Sequence, residues 1–234
     1  MSNPHDAPMQ LIGCVLCGGQ SRRMGRAKAL LRRPDGVTYL EHAAQRLSKC
    51  CDRLVVSLPF DTGQATADGS RKQNQEIVPD GSSDQVLGIS ELQSLDRQSF
   101  DLGDVQVAFV VDRSSDRGPA EGLACVLRYA EAAGADAVLC TPVDLPDLTT
   151  EDCRRLTSAW RTSPQTIHCA VAQPSGRLQP LVAVYPIRLT AAIDQMALSQ
   201  QRSLARWLES QSYAAVVLSD ASLRNVNTPR DLDQ

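Results

Sequence analysis

Apolar positions along the chain fall into short runs that alternate with stretches of helical spacing. Leu11 to Leu16 is an apolar run of strand length, Tyr39 to Lys49 places Leu40, Ala43, Ala44 and Leu47 on one helical face, and Arg53 to Leu58 is a second apolar run. The pattern predicts a strand, a loop, a helix and a strand. It continues with a strand over Val105 to Val111, a helix over Pro119 to Ala133, a strand over Ala137 to Cys140, and a helix over Thr150 to Arg161 capped by Thr149 or Thr150. Thr166 to Val171 and Leu181 to Tyr185 read as strands joined hairpin-fashion through Gln173-Pro174-Ser175-Gly176. Helices around Leu189 to Leu198 and Ser203 to Glu209, a strand over Ala214 to Leu218 and a turn after Pro229 complete the chain. This alternation predicts the α/β class: a single Rossmann-like three-layer domain whose sheet is mostly parallel but mixed.

One stretch breaks the rhythm. Phe60 to Asp104 is rich in Gln, Ser, Asp and Gly, and only Val86, Leu87, Ile89, Leu92 and Leu95 give it an apolar helical face. It reads as a variable insertion, residues 60–104, within one domain spanning 1–234.

Composition narrows the function classes. The 24 Lys and Arg against 27 Asp and Glu leave a formal charge of -3, so no overall positive field draws the chain to nucleic acid or to an anionic membrane. The apolar stretches, such as Leu11 to Cys17 and Ala135 to Cys140, fall well short of the roughly 20 residues that cross a bilayer. The N-terminal MSNPHDAPMQ lacks a basic segment followed by an apolar run, and the expected location is the cytoplasm. Of the eight cysteines, Cys14, Cys125, Cys140 and Cys169 lie in apolar segments and read as reduced core residues. Cys14 and Cys17 form a C-x2-C, yet no second pair follows at metal spacing and His5, His42 and His168 are scattered.

The candidate chemistry follows the first strand, where the chain reads Cys17-Gly18-Gly19-Gln20-Ser21-Arg22-Arg23-Met24-Gly25-Arg26-Ala27-Lys28. Paired glycines let backbone N–H groups approach a phosphate, and Arg22, Arg23, Arg26 and Lys28 supply charge the composition as a whole lacks. The segment matches neither G-x-x-x-x-G-K-[ST] nor G-x-G-x-x-G. A second candidate is Asp144, just beyond the strand Ala137 to Cys140, at the edge where open α/β sheets bind ligands. A hard carboxylate there can hold Mg2+, although a turn residue beside Pro146 explains Asp144 equally well on these grounds alone.

The glycine loop resembles the L-x-G-G-x-S-x-R-M-G-x-D-K-x-L signature of the molybdopterin-guanylyltransferase-like nucleotidyltransferases. Asp144-Leu145-Pro146-Asp147-Leu148 resembles that family's D-x-P-x-L, and Asn225-Val226-Asn227-Thr228-Pro229 its closing N-(V/I)-N-T-P. Asp112 with Gly118-Pro119-Ala120-Glu121-Gly122-Leu123 resembles its D-(x)n-G-P-L-A-G element, and Gln179-Pro180-Leu181 its Q-P-L. The likeness covers Leu11 to Ser57 and Val105 to Leu232, and departs at Cys17, Ala27, Ala120 and Glu121.

The resemblance implies that Leu16, Cys17, Gly18, Gly19, Ser21, Lys28, Ser57, Asp112, Gly118 and Asp144 meet the nucleotide. Within that set Asp112 faces the base; Asp116 fits a plain surface loop as well as a functional role, and Asp147 reads as a solvated loop residue. It implies catalytic roles for Lys28, Arg22 and Asp144, a Mg2+ site on Asp144 and Asn227, and acceptor contacts from Gln179 and Asn225. The implied partners are GTP or another nucleoside triphosphate, molybdopterin or a similar phosphorylated acceptor, and transient contacts with molybdoenzymes or proteins of the cofactor pathway. Cytidylyl or other nucleotidyl transfer to molybdopterin or a sugar phosphate is the alternative within the class. A non-catalytic nucleotide-binding module, motivated by Ala27 and the altered Gly118 to Gly122 element, is the alternative outside it.

Overall fold

A computed structural model describes residues 8–17, 28–59, 102–114 and 117–226. Strand β1 (Leu11–Leu16) leads through a short 3-10 turn, Lys28–Leu30, to helix α1 (Tyr39–Ser48) and strand β2 (Arg53–Leu58). Strand β3 (Gln106–Val111), helix α2 (Pro119–Ala132), strand β4 (Ala137–Pro142) and helix α3 (Thr150–Thr162) follow. Strands β5 (Ile167–Gln173) and β6 (Leu178–Pro186), helices α4 (Thr190–Leu198) and α5 (Leu204–Glu209), and strand β7 (Tyr213–Ser219) complete it. The expected insertion, including Val86 to Leu95, and the turn after Pro229 lie almost wholly outside the described residues.

The seven strands form one sheet in the order β3-β2-β1-β4-β6-β5-β7. All pairings are parallel except those of β6, which runs against both β4 and β5. The mixed sheet expected from the alternation is therefore present, and its single reversal is the β5–β6 hairpin.

Alternation within the strands sorts the core into two layers. Leu11 and Val15 of β1 pack with Leu40, Ala44 and Leu47 of α1 and with Leu156 and Trp160 of α3. Ile12, Cys14 and Leu16 face the other way, toward Leu123, Val126 and Leu127 of α2, Ile193 of α4 and Leu208 of α5. The parallel strands carry near-continuous apolar runs because both their faces are covered. Helices α1 and α3 begin at capping boxes, Thr38 with Glu41 and Thr149 with Asp152, in which side chains satisfy otherwise unpaired backbone N–H groups.

Several boundaries differ from the sequence reading by one to three residues. Strand β4 runs on to Pro142, and β6 begins at Leu178 rather than Leu181, so Gln179-Pro180-Leu181 lies inside the strand instead of preceding it. Pro180 has no N–H to give a ladder, and the β5–β6 register shifts between Cys169 and Ala170 opposite this stretch. That irregularity interrupts the apolar alternation by which a strand is recognised.

Candidate functional site

The chain proceeds from β1 outward to β2 and β3, then returns to place β4 on the other side of β1. The C-terminal ends of β1 and β4 thus flank the point where strand order reverses, where open α/β sheets form their binding crevice. The end of β1 is pinned from both sides. Cys17 N–H donates to the Ser57 carbonyl at 2.9 Å, and the Leu16 carbonyl accepts from Val143 N–H at 3.0 Å. Of the expected phosphate residues, Lys28 opens the 3-10 turn, whereas Gly18, Gly19, Ser21 and Arg22 lie outside the described residues.

On the β2 side, Leu16, Ser57, Asp112 and Gly122 converge. Ser57 Oγ donates to Asp112 Oδ1 at 3.3 Å, and Asp112 N–H donates to the Leu58 carbonyl at 2.9 Å. Gly122 in the first turn of α2 comes so near that a Cβ would stand 2.7 Å from Ser57 Oγ, 3.1 Å from Asp112 Oδ1 and 3.3 Å from Leu16 Cδ2. Asp112 is only 8% exposed. Burial pushes its carboxyl up from the ordinary 3.8 to about 7, with the Ser57 hydrogen bond opposing and Glu121 reinforcing the shift. Gly118 caps α2 with φ +72 and open space where a Cβ would be, before Pro119 at the first helical position.

Glu121, a departure from the family pattern, is 1% exposed and receives a two-pronged hydrogen bond from Arg113, Nε to Oε1 at 2.7 Å and Nη2 to Oε2 at 3.1 Å. Arg113 also meets Asp194 of α4 at 2.8 Å. The residue after Asp112 is thereby tied to two helices. Nothing in the sequence pattern signalled this network, because its members lie on separate elements.

On the β4 side, Asp144 sits half-buried just past the end of the strand, and its loop is held from below and from the side. Arg46, buried in α1, donates through Nη1 to the carbonyls of Leu145 and Leu148, each at 3.0 Å. The His42 ring nitrogen Nε2 lies 3.1 Å from the Pro146 carbonyl, which it serves as donor, and burial lowers the pKa of that ring. Val226 N–H donates to the Asp144 carbonyl at 3.0 Å, and Arg224 Nε donates to Asp147 Oδ2 at 3.0 Å. The closing Asn225-Val226 segment is therefore brought against the Asp144 loop, while Asn227 lies outside the described residues. Arg46 was missed in the sequence because it reads as a solvated helix residue; only its burial reveals its role.

The two expected acceptor residues stand differently toward one cavity at the sheet edge. Asn225 lines a cavity at the sheet edge, whereas Gln179 does not line it. With its amide oxygen turned toward Arg177, Gln179 instead accepts from Nε at 2.8 Å and Nη2 at 2.9 Å.

All eight cysteines are free, and six of them are buried, among them Cys14, Cys125, Cys140 and Cys169, the four expected in the core. Burial raises the thiol pKa values of Cys14 and Cys17, which disfavours the thiolate that metal binding or redox chemistry needs. Among the described residues no group of three or more His, Cys, Asp or Glu gathers that could hold a metal. Nor is any helix among them long and apolar enough to cross a membrane.

A crevice at the switch point of a mostly parallel sheet, with a half-buried carboxylate on one rim and a buried acid on the other, lies where α/β domains of this kind bind their ligands. The chain belongs to the family of the MobA-like NTP transferase domain, which matches residues 13–216, and it is a nucleotidyltransferase. It is 36% identical, over 98% of its length and 93% of the relative's, to a protein of Rhodopirellula baltica named "Probable molybdenum cofactor guanylyltransferase". In fold it resembles the crystal structure of molybdopterin-guanine dinucleotide biosynthesis protein A from Archaeoglobus fulgidus, with a TM-score of 0.61, 18% identity and 95% of each chain covered. A Mycobacterium tuberculosis H37Rv protein solved in complex with manganese has a TM-score of 0.55 and 16% identity, with 90% of this chain and 88% of that one covered.

Proposed function

We propose that the protein transfers GMP from GTP to molybdopterin in the cytoplasm, releasing pyrophosphate and handing its product to molybdoenzymes or cofactor-pathway proteins. The observation that carries this reading is the meeting, at one switch point, of the β1 end, the Asp144 loop and the Ser57-Asp112-Gly122 floor. The name of the Rhodopirellula baltica relative supports it.

The reaction is an in-line attack of an acceptor phosphate oxygen on the α-phosphorus of the triphosphate. A phosphate monoester with a second pKa near 6 is already ionised at neutral pH, so the site needs no general base. Its task is positioning and charge neutralisation. Lys28 and Arg22, with the backbone amides around Gly18, Gly19 and Ser21, are assigned to the phosphate oxygens. As an anion, Asp112 accepts from guanine N1–H and N2–H2, a donor pair cytosine lacks, and the Gly118 approach leaves room for the base.

The donor set fits magnesium rather than a closed protein cage, since Asp144 offers one hard carboxylate and Asn227 an amide oxygen. When bound there, Mg2+ would neutralise charge on the phosphates and the departing pyrophosphate. In this reading residues 1–234 form one catalytic domain and the segment 60–104 is an appendage to it.

The test is to incubate the chain with molybdopterin, MgCl2 and either GTP or CTP, measuring pyrophosphate and the mass of the product. Guanine dinucleotide formation is expected. Pyrophosphate from CTP alone would reassign the base, and none from either nucleotide would leave a binding module.

A further inference from the structure

The β5–β6 turn and the segment after β7 border an open cavity of about 640 Å³ lined by Ser175, Arg177, Asp220, Ala221, Arg224 and Asn225. Strands β5 and β7 pair in parallel from Ile167 with Tyr213 to Gln173 with Ser219. Their C-terminal ends therefore open on the same sheet edge as those of β1 and β4, and the reversed β6 starts there. This is why Arg177, from one end of the hairpin, meets Arg224, from beyond β7.

The walls are fixed in place. Asp220 accepts from Ser175 N–H at 3.0 Å and Ser175 Oγ at 2.6 Å, while Asp220 N–H donates to the Gln173 carbonyl at 2.9 Å. Arg224 engages Asp147 through Nε, and Arg177 is held by the amide oxygen of Gln179 rather than by a carboxylate. Each guanidinium carries five N–H donors in a planar fork, so both keep donors for a ligand beyond these contacts.

Position and lining decide what the cavity takes. Asn225 and Arg224 directly precede Val226, whose N–H is bonded to the Asp144 carbonyl, so the cavity adjoins the loop that carries the residue assigned to the reaction. Its volume is far larger than a phosphate needs and falls within the range of pockets for small organic molecules. Its lining mixes donors (Arg177, Arg224) with an acceptor (Asp220) and groups that are both (Ser175, Asn225). That mixture matches the edge of a polar nitrogen heterocycle, and guanidinium planes stack on such rings.

We propose that this cavity receives the heterocyclic body of the phosphorylated acceptor, with Arg177 and Arg224 as its specificity-determining residues, while the acceptor phosphate reaches toward Asp144. The proposal rests on the transfer reaction above, and its test is arranged so that the two fail separately. Molybdopterin binding is measured by equilibrium dialysis without nucleotide for the wild type, Arg177→Ala and Arg224→Ala, alongside GTP binding by calorimetry. Arg224→Lys, which keeps the ion pair with Asp147, controls for folding of that loop.

A rise of roughly tenfold in the acceptor Kd for each alanine variant, with GTP affinity unchanged, is the expected result. Unchanged acceptor binding in both variants overturns the cavity assignment, as does a parallel loss of GTP affinity. A wild type that binds molybdopterin through these arginines yet releases no pyrophosphate sinks the reaction and leaves the cavity standing.

Discussion

Val226 holds the Asp144 loop through a backbone bond, its N–H donating to the Asp144 carbonyl at 3.0 Å. The bond fixes where Asp144 stands without engaging the carboxylate. The residue proposed to hold a divalent ion is thereby positioned by a segment some eighty residues further along the chain. Asp144→Ala is expected to keep the fold and lose transfer by roughly 10²- to 10³-fold, the scale of removing one preorganised electrostatic group. Matching melting curves with near-normal turnover at saturating magnesium would remove Asp144 from the site.

Arg46 anchors the same loop from beneath. Its Nε and Nη2 have no hydrogen-bond partner among the described residues, and burial lowers its pKa, so the two bonds to Leu145 and Leu148 are set against the cost of an enclosed charge. Arg46→Met is therefore expected to cost only about 1–3 kcal/mol of stability. Transfer should fall by roughly tenfold, with GTP affinity preserved. Urea titration with single-turnover kinetics checks this, and full activity would make Arg46 a structural residue only.

Gly122 has no room for a methyl group. Gly122→Ala should destabilise the chain by about 1–3 kcal/mol and raise the KM for GTP, because the Ser57–Asp112 pair must move. Adding Ser57→Ala removes the nearest obstructing atom, and the double variant should recover part of the lost stability. A purely additive double variant would show that the obstruction lies elsewhere.

Asp112 makes both stability and nucleotide choice depend on pH. Its pKa is raised in the fold, from 3.8 to about 7, so between those values the folded chain keeps a proton that the unfolded chain has released. Stability should decline as pH rises through that window and stay at the lower level above it. Asp112→Asn should flatten this trend in urea titrations at pH 5 and pH 8. Guanine needs the ionised acid, so GTP should bind more tightly relative to CTP as pH passes about 7, and a constant ratio would detach Asp112 from the base.

The segment between β2 and β3 should be dispensable for chemistry. Because β2 and β3 are parallel neighbours, a connection must return along the full strand, roughly 20 Å for six residues. Replacing residues 64–101 by a Gly/Ser linker long enough for that return should preserve transfer, since closure cost grows slowly with length. A variant that binds GTP but no longer uses the acceptor would make the segment part of the acceptor site.

Much of this architecture was legible in the sequence. The apolar run of β1 and the helical spacing of α1 gave their positions within a residue, because periodicity there reflects burial directly. β6 was shortened in the reading because Gln179 and Pro180 interrupt its alternation at the register shift. Asp144 stood out as an acid following an apolar run, and Asp112 through its place in the family pattern. Arg46 and the Arg113-Glu121-Asp194 network did not, since their meaning depends on which elements pack together. Gly122 lay within a quoted motif, yet only its approach to Ser57 shows why a glycine stands there.

The reversed strand β6 has a consequence for where substitutions act. It joins β1 to β4 with the remaining strands through four residue pairs, from Ala137 with Pro186 to Cys140 with Ala183. Beyond Cys140, β4 runs on to Pro142 without a β6 partner, so the sheet forks toward the proposed crevice. Substitutions in the hairpin prong would therefore reshape the proposed acceptor cavity while leaving the pairing of β1, β2 and β4 in place.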